Sequence, residues 1–337
     1  MTEDKDLGSV KRFTNKLIRL NLRYYGIWIA LLLICVILAV SSNTFLTLSN
    51  FANIIRQVSY NVIMACGMTV VIIIGGIDLS VGAVLAFSSF IMADVLSRTN
   101  LVFGLLAGMA AGAAMGIING IIVARRKSMA FVVTLGTMTI WRSLTAIYSE
   151  GLPISNFPRA FENIASGSFL SLPIPFWIAL GAVLLSKFLL EWTKFGKYVY
   201  AIGSNTTAAR NCGVNVNAIV TAAFMISGLM AAVAGIVLTS RVGAAQVQGG
   251  EGYEMDVIAA VVIGGTSLSG GRGRISGTVA GALVMGVLRN GLNLMNVTPA
   301  WQETVMGIVI IATILWDKGD QPISPRNTRL PEGGDTP

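Results

Sequence analysis

Few side chains in this chain are suited to making or breaking bonds. Histidine is absent, which removes the usual proton shuttle and the commonest metal ligand. The three cysteines, Cys35, Cys66 and Cys212, are scattered and odd in number. Neither a disulfide framework nor a metal cluster follows from them. No Gly-x-x-x-x-Gly-Lys-Ser/Thr run occurs, and Gly196-Lys197 is followed by Tyr198 and lacks the upstream glycine. The chain therefore has no P-loop to cradle ATP phosphates. If its work is ATP-driven, another subunit supplies the hydrolysis. No catalytic residue, cofactor or metal is expected here.

What remains is a short list of polar groups set in apolar surroundings. Asp78 is the foremost, because a carboxylate in or near a bilayer is expensive and marks a functional site by default. It lies in a nonapeptide used twice, IGGIDLSVG at 74–82 and IGGTSLSGG at 263–271. Each copy follows an apolar run and leads into another. Paired glycines between such runs mark a helix break or a tight turn, and the same break in both halves suggests an internal repeat. Matching Gly-interrupted segments point to a solute path in transporters; the alternative is a shared turn that merely reverses the chain. The expected path residues are Gly75, Gly76, Asp78, Ser80, Gly264, Gly265, Thr266 and Ser269. Asn119, Asn290 and Asn293 are polar positions in apolar runs, and either line the path or hydrogen-bond between helices. Asp94, beside Arg98, reads as interfacial.

The elements that must position these groups are membrane helices. The chain is 54% hydrophobic and 12% charged, with a mean hydropathy of +0.73, whereas soluble domains carry about 25% charged residues. The apolar runs suit helices of about 20 residues and lack the strict alternation of a barrel. The expected spans are 24–40, 51–74, 79–96, 101–124, 131–148, 175–190, 218–238, 254–264, 275–292 and 301–316. The fold class is thus all-α membrane protein, with about ten transmembrane helices and an internal repeat. The run 254–264 is short for a span, so the second nonapeptide is expected inside the bilayer as a broken helix. Such backbone is tolerated only against a cavity or within protein.

Basic residues set the orientation. Lys11, Arg12, Lys16, Arg19 and Arg23 precede the first run, and Arg125-Arg126-Lys127 closes the fourth. The segment 1–23 is read as cytoplasmic, 24–316 as the membrane domain and 317–337 as a disordered cytoplasmic tail. The net charge of +8 reflects this pattern and not a nucleic-acid partner. The stretch 150–173 reads as a periplasmic loop with a short surface helix. The stretch 195–217 reads as a polar cytoplasmic insert. In it Ser204 or Asn205 can cap a short helix that Gly213 ends.

This insert resembles the coupling segment of ABC-importer permeases, with Gly203, Asn205, Ala208, Ala209, Arg210 and Gly213 in the recurring places. The run from Gly75 to Gly82 looks like the signature of ribose, xylose, arabinose and galactose permeases. Gly270 to Gly277 and Asn290-Gly291-Leu292-Asn293 look like the C-terminal half of that family. The branched-chain amino acid permeases share the architecture. The resemblance covers about 45–316 and implies a type II ABC-importer permease of the bacterial inner membrane. It implies alternating access for a monosaccharide, with a second permease copy or paralogue completing a dimer. It also implies a cytoplasmic ATPase with tandem cassettes and a periplasmic sugar-binding protein. On that reading Asp78 either accepts from sugar hydroxyls or caps the following helix, and the cap is favoured. Glu251, Glu254 and Asp256 either meet the binding protein or are solvated. The rival class is a stand-alone, ion-coupled carrier, which has no need of a docking helix.

Overall fold

The computed structural model describes residues 26–126 and 129–316. The proposed cytoplasmic segment 1–23 and tail 317–337 lie outside the described residues. In an apolar medium backbone groups must pair within their own segment, and the apolar runs accordingly form helices. These are α1 (Gly26–Ser41), α2 (Leu48–Ile73), α3 (Val81–Arg98), α4 (Leu101–Arg126) and α5 (Ala130–Ser149). There follow α6 (Arg159–Ser166), α7 (Ile174–Trp192), α8 (Lys194–Ser204), α9 (Thr206–Asn211) and α10 (Val216–Val242). The last three are α11 (Tyr253–Ile263), α12 (Ile275–Leu294) and α13 (Pro299–Trp316). By length and composition α2, α3, α4, α5, α7, α10 and α12 can each cross a membrane. At 11 residues, α11 is about 16 Å long, too short to cross alone.

Helix α2 is the axis of the bundle. Of its most apolar window 89% is buried, against 17% for α5, which leaves most of α5 on the outside. Because lipid tails are as apolar as Leu, such helices associate by close packing. The sequence supplies small residues for this at a spacing of four: Gly104, Gly108, Gly112, Gly116 and Gly120, all on α4. The first two face α3; the other three face α10. A Cβ on Gly112 or Gly116 would collide with the α10 backbone at Gly228 or Phe224.

The two ends of the bundle differ. At one end α8 and α9 precede the start of α10. At the other, α6 packs on the far end of α10, where Ser240 Oγ donates to the Phe161 carbonyl (2.7 Å) and accepts from Ala165 N–H (3.0 Å). Phe161 is fully buried, so α6 is a built part of this end and not only a surface helix. Short antiparallel pairs complete it. Strands β1 (Ile154–Ser155) and β4 (Ala244–Ala245) pair Ile154 with Ala245, and β2 (Ser168–Phe169) pairs with β3 (Leu172–Pro173). Here too the Tyr60 and Tyr253 rings stack at 5.4 Å, and Arg241 donates to Asn53 (2.9 Å).

The stretch 195–217, read as a polar insert with one helix, holds most of α8, all of α9 and the first residues of α10. Helix α8 is no solvated loop: Val199 and Ile202 on it are buried.

Polar groups inside the bundle are paired across helices. Asn50 and Asn290 exchange two amide hydrogen bonds, at 3.1 and 3.0 Å. Asn293 accepts from Gln302 Nε2 (2.7 Å). Asp94, half-buried, accepts from Arg98 (2.8 Å) and Tyr148 (2.8 Å) near the end of α3. Asp256 differs from expectation. It is 4% exposed and bound to Arg289 at 2.7 Å, so it is neither solvated nor free for a partner.

Two predictions follow from this packing. Asp256→Ala leaves the Arg289 guanidinium without its counter-ion, a loss of about 3–5 kcal/mol, read as a lowered thermal midpoint in detergent; an unchanged midpoint contradicts the pairing. Gly116→Val forces α4 from α10 and lowers the folded yield. Gly136→Val, where a Cβ meets nothing within 4 Å, leaves the yield near wild type.

Candidate functional site

Each nonapeptide ends a helix, and both do so by the same chemistry. A helix C-terminus leaves carbonyls unpaired, and a residue with positive φ after the last turn lets the chain fold back to satisfy them. After α2, Gly75 (φ 84°) takes this role. Its N–H donates to Ile72 O, and Gly76 N–H donates to Val71 O, both at 2.9 Å. After α11, Gly265 (φ 86°) takes it. Its N–H donates to Val262 O (2.9 Å), and Thr266 N–H donates to Val261 O (3.2 Å). The turns match but the motifs do not align on them: the first copy uses its first glycine and the second copy its second. The repeat in sequence is thus offset by one residue in structure.

The two breaks touch. Gly271 N–H, at the tail of the second nonapeptide, donates to the Ile73 carbonyl at the end of α2 (2.8 Å). Gly203, in the last turn of α8, lies directly on this contact. A Cβ there would overlap the Ile73 carbonyl oxygen and stand 2.5 Å from Gly271 N. Tyr200, one turn earlier, donates its hydroxyl to the Gly273 carbonyl (2.9 Å). Three segments far apart in sequence therefore share one junction, and only a glycine at 203 permits it.

Beyond the first turn the chain re-enters the bundle. Asp78 Oδ1 accepts from Ser80 N–H (3.0 Å) and from Ser80 Oγ (2.6 Å). Its Oδ2 accepts from Ser227 Oγ on α10 (2.8 Å). Asn119 Nδ2 on α4 donates to Ser80 Oγ (2.8 Å), and Thr134 Oγ1 on α5 donates to the Ile77 carbonyl (3.1 Å). Asp78 and Ser80 are buried at 1% and 0% exposure, so no solute reaches them in this conformation. Ser80 occupies the N-cap position of α3. Asp78 closes the turn before it and ties that turn to α10, which is not the capping role favoured from sequence.

The other expected path residues divide. Gly75, Gly265 and Ser269 are exposed, Gly264 is half-buried, and Gly76 and Thr266 are buried. The Thr266 hydroxyl has no partner among the described residues. Asn119 and Asn290 bond between helices, and both are buried.

Helix α9 follows the sequence grammar closely. Asn205 caps it, its Oδ1 accepting from Ala208 N–H (2.9 Å). Gly213 (φ 83°) ends it, with Gly213 N–H to Arg210 O and Val214 N–H to Ala209 O. Ala209 points inward, into a cluster with Val71, Ile202, Val216, Val220 and Phe224. Asn205, Ala208, Arg210 and Gly213 are exposed. Arg210 and Arg125 also line a cleft of about 330 Å³ beside the start of α10. No group of metal ligands occurs among the described residues.

Two arginines escaped the sequence reading, Arg142 on α5 and Arg289 on α12. Each stands alone in an apolar run, and that cost alone could have singled them out. Arg142 Nη1 donates to the Val247 and Gly249 carbonyls (2.7 and 2.9 Å) in the connection between α10 and α11.

Asp78→Ala strands the Ser80 and Ser227 donors in the interior. The expected cost is about 1–3 kcal/mol, larger than for Asp78→Asn, which keeps an acceptor for Ser80; thermal unfolding of both variants checks the order.

Comparison with known proteins gives the arrangement a context. A family model described as branched-chain amino acid transport system / permease component matches residues 50–314. The ribose import permease protein RbsC of Bacillus subtilis strain 168 is 45% identical over 296 residues, covering 87% of this chain and 92% of the relative. The L-arabinose transport system permease protein AraH of Escherichia coli K12 is 38% identical over 298 residues, covering 88% and 91%. The D-allose transport system permease protein AlsC of the same strain is 35% identical over 298 residues, with the same coverage. No solved structure matches the chain. With a family model spanning most of its length and relatives at these identities, the chain belongs to the ABC-importer permease family of the branched-chain amino acid transport type.

Proposed function

We propose that this chain is the membrane-spanning subunit of an ATP-driven importer for a monosaccharide. The sugar is delivered by a periplasmic binding protein and passes the bacterial inner membrane by alternating access. The sugar class rests on the relatives, whose names specify ribose, L-arabinose and D-allose. The coupling mechanism rests on one observation, the seat of Gly203 on the contact between Ile73 and Gly271.

An ATPase docks on the exposed side of α9, through Asn205, Ala208, Arg210 and Gly213. Ala209 anchors α9 to the bundle beneath. Movement of α9 passes to α8, and Gly203 bears on both breaks at once. The two nonapeptides act as the hinges of the path: Gly75, Gly76, Asp78 and Ser80 in one, Gly264, Gly265, Thr266 and Ser269 in the other. Gly75 and Gly265 carry the turns, while the Asp78–Ser227 bond fixes one end of α3. The pore need not grip its solute, because the binding protein selects it.

The α9 end faces the cytoplasm in this reading, since Arg125, Lys194, Lys197 and Arg210 gather there. Both chain termini then lie inside, after about ten spans that count α1, α11 and α13 with the seven longer helices. The partners are a tandem-cassette ATPase and a second permease, identical or paralogous. Lipid meets the outer helices.

Two measurements test the proposal. Gly203→Ala in the assembled transporter is expected to leave ATP hydrolysis running while sugar uptake falls at least tenfold; uptake kept at the wild-type rate per ATP contradicts the coupling route. Arg210→Glu is expected to weaken co-purification of the ATPase with the permease, and Ala209→Leu to cost about 1–3 kcal/mol of stability through overpacking. A chain that purifies alone and moves sugar in ATP-free liposomes overturns the importer reading in favour of a stand-alone carrier.

A further inference from the structure

The connection between α10 and α11 does not stay at the surface. Ala244 and Ala245 pair with β1 at the α6 end, but Gly250 lies against Gly82 at the start of α3, where a Cβ on Gly82 would overlap the Gly250 carbonyl oxygen. The depth of that contact can be read along α10, which has 27 residues and so spans about 40 Å. Asp78 and Ser80, just before α3, meet Ser227, about 17 Å from the first residue of α10. One turn into α3 and beyond, Leu85 and Ser89 meet Gly235. Gly82 and Gly250 therefore sit near the middle of the bundle. Arg142, 12 residues into α5, reaches the same loop at Val247 and Gly249.

Non-helical backbone at that depth persists only where it is buried in protein or lines a water-filled path. Here both conditions are met. The half-buried carbonyls of Val247 and Gly249 are satisfied by Arg142. Yet Gln248 and Glu251 on the same loop are exposed, and Glu254 is half-buried. An exposed carboxylate on a hydrocarbon face is not tolerated, so this face looks onto water. Two helices also begin here, α3 and α11. Helix α11 starts just after Gly252, its Tyr253 and Met255 N–H groups bonded back to the Gly250 and Gly252 carbonyls (both 3.2 Å). Short helices that start near the midplane mark solute sites in transporters.

We propose that Arg142, Gln248, Glu251 and Glu254 form the polar contact zone of the path, and that it takes a neutral polyhydroxylated solute. This inference rests on the monosaccharide reading above and deepens it. Arg142 holds the loop two residues before Glu251, and the Glu254 carboxylate lies against Gly82, yet neither glutamate forms an ion pair with Arg142 among the described residues. Their carboxylate oxygens accept from hydroxyls, Arg142 donates to hydroxyl oxygens, and the Gln248 amide does both. Two carboxylates beside one arginine disfavour an anionic solute and suit an uncharged one. The two nonapeptides then supply motion, and this loop supplies contact.

The test is protection from thiol labelling. The complete transporter, with Cys212→Ser, is first tested for uptake of ribose, L-arabinose and D-allose. Glu251→Cys and Gln248→Cys, made separately so that one remains if the other fails to assemble, are then exposed to a charged methanethiosulfonate. Both thiols are expected to label from water, and the transported sugar to slow labelling several-fold. Ser97→Cys, at the exposed end of α3, is expected to label at one rate with or without sugar. If the wild type carries a sugar but neither thiol labels, or labelling ignores the sugar, the contact zone is wrong and the importer reading stands. If the wild type carries none of the three, the monosaccharide reading falls and this inference with it.

Discussion

One hydrogen bond joins the two helix breaks directly: Gly271 N–H to the Ile73 carbonyl, at 2.8 Å. The Ile73 carbonyl is one of the groups left open where α2 ends. The turn at Gly75 satisfies its neighbours from within the chain, at Val71 and Ile72. Ile73 is satisfied instead by the tail of the second break. The consequence is mechanical: the end of the central helix and the end of α11 cannot separate without exposing a buried polar group. Gly203 closes over that bond with no room for a side chain, so α8, which leads into α9, is seated on the same point.

Around this junction the bundle spends its polar groups sparingly and pairs most of them. Asp78 is held by Ser80 and Ser227, Asn50 by Asn290, and Asp256 by Arg289. These contacts join α2, α3, α10, α11 and α12, while the glycine row on α4 lets that helix lie backbone to backbone against α10. The most tightly tied part is therefore α2 and α10 with the helices packed on them. The parts with special backbone, the two breaks and the loop near Gly250, lie beside it and are the natural places for movement.

Much of this was legible in the sequence. Long apolar runs have few alternatives to helix, and the doubled nonapeptide marked both breaks. Ser204 or Asn205 was readable as the cap and Gly213 as the stop, because a short side-chain oxygen and a residue free of Cβ strain suit those two roles; the structure uses Asn205. The offset between the two breaks was not legible, since either glycine of a pair can take the positive-φ position and the choice depends on where the preceding helix stops. Nor could the motif tell that Ala209 faces in while Ala208 faces out, because a six-residue helix has too little pattern to fix its face. The Asp256–Arg289 pair joins residues 33 apart on different helices, and only the packing of α11 on α12 brings them together. Asp78 was found but its work was misjudged: the bond to Ser227 crosses 149 residues and cannot be seen locally.

The central claim is that α8, α9 and the second break move as one body during the ATP cycle. The most direct test places spin labels on the exposed residues Asn211, Ser269 and Thr139 of the assembled transporter and measures their separations with and without trapped nucleotide. The account predicts that the distance from Asn211 to Ser269 stays constant while both change relative to Thr139 on α5. A separation between Asn211 and Ser269 that changes with nucleotide, as much as either changes relative to Thr139, would contradict it.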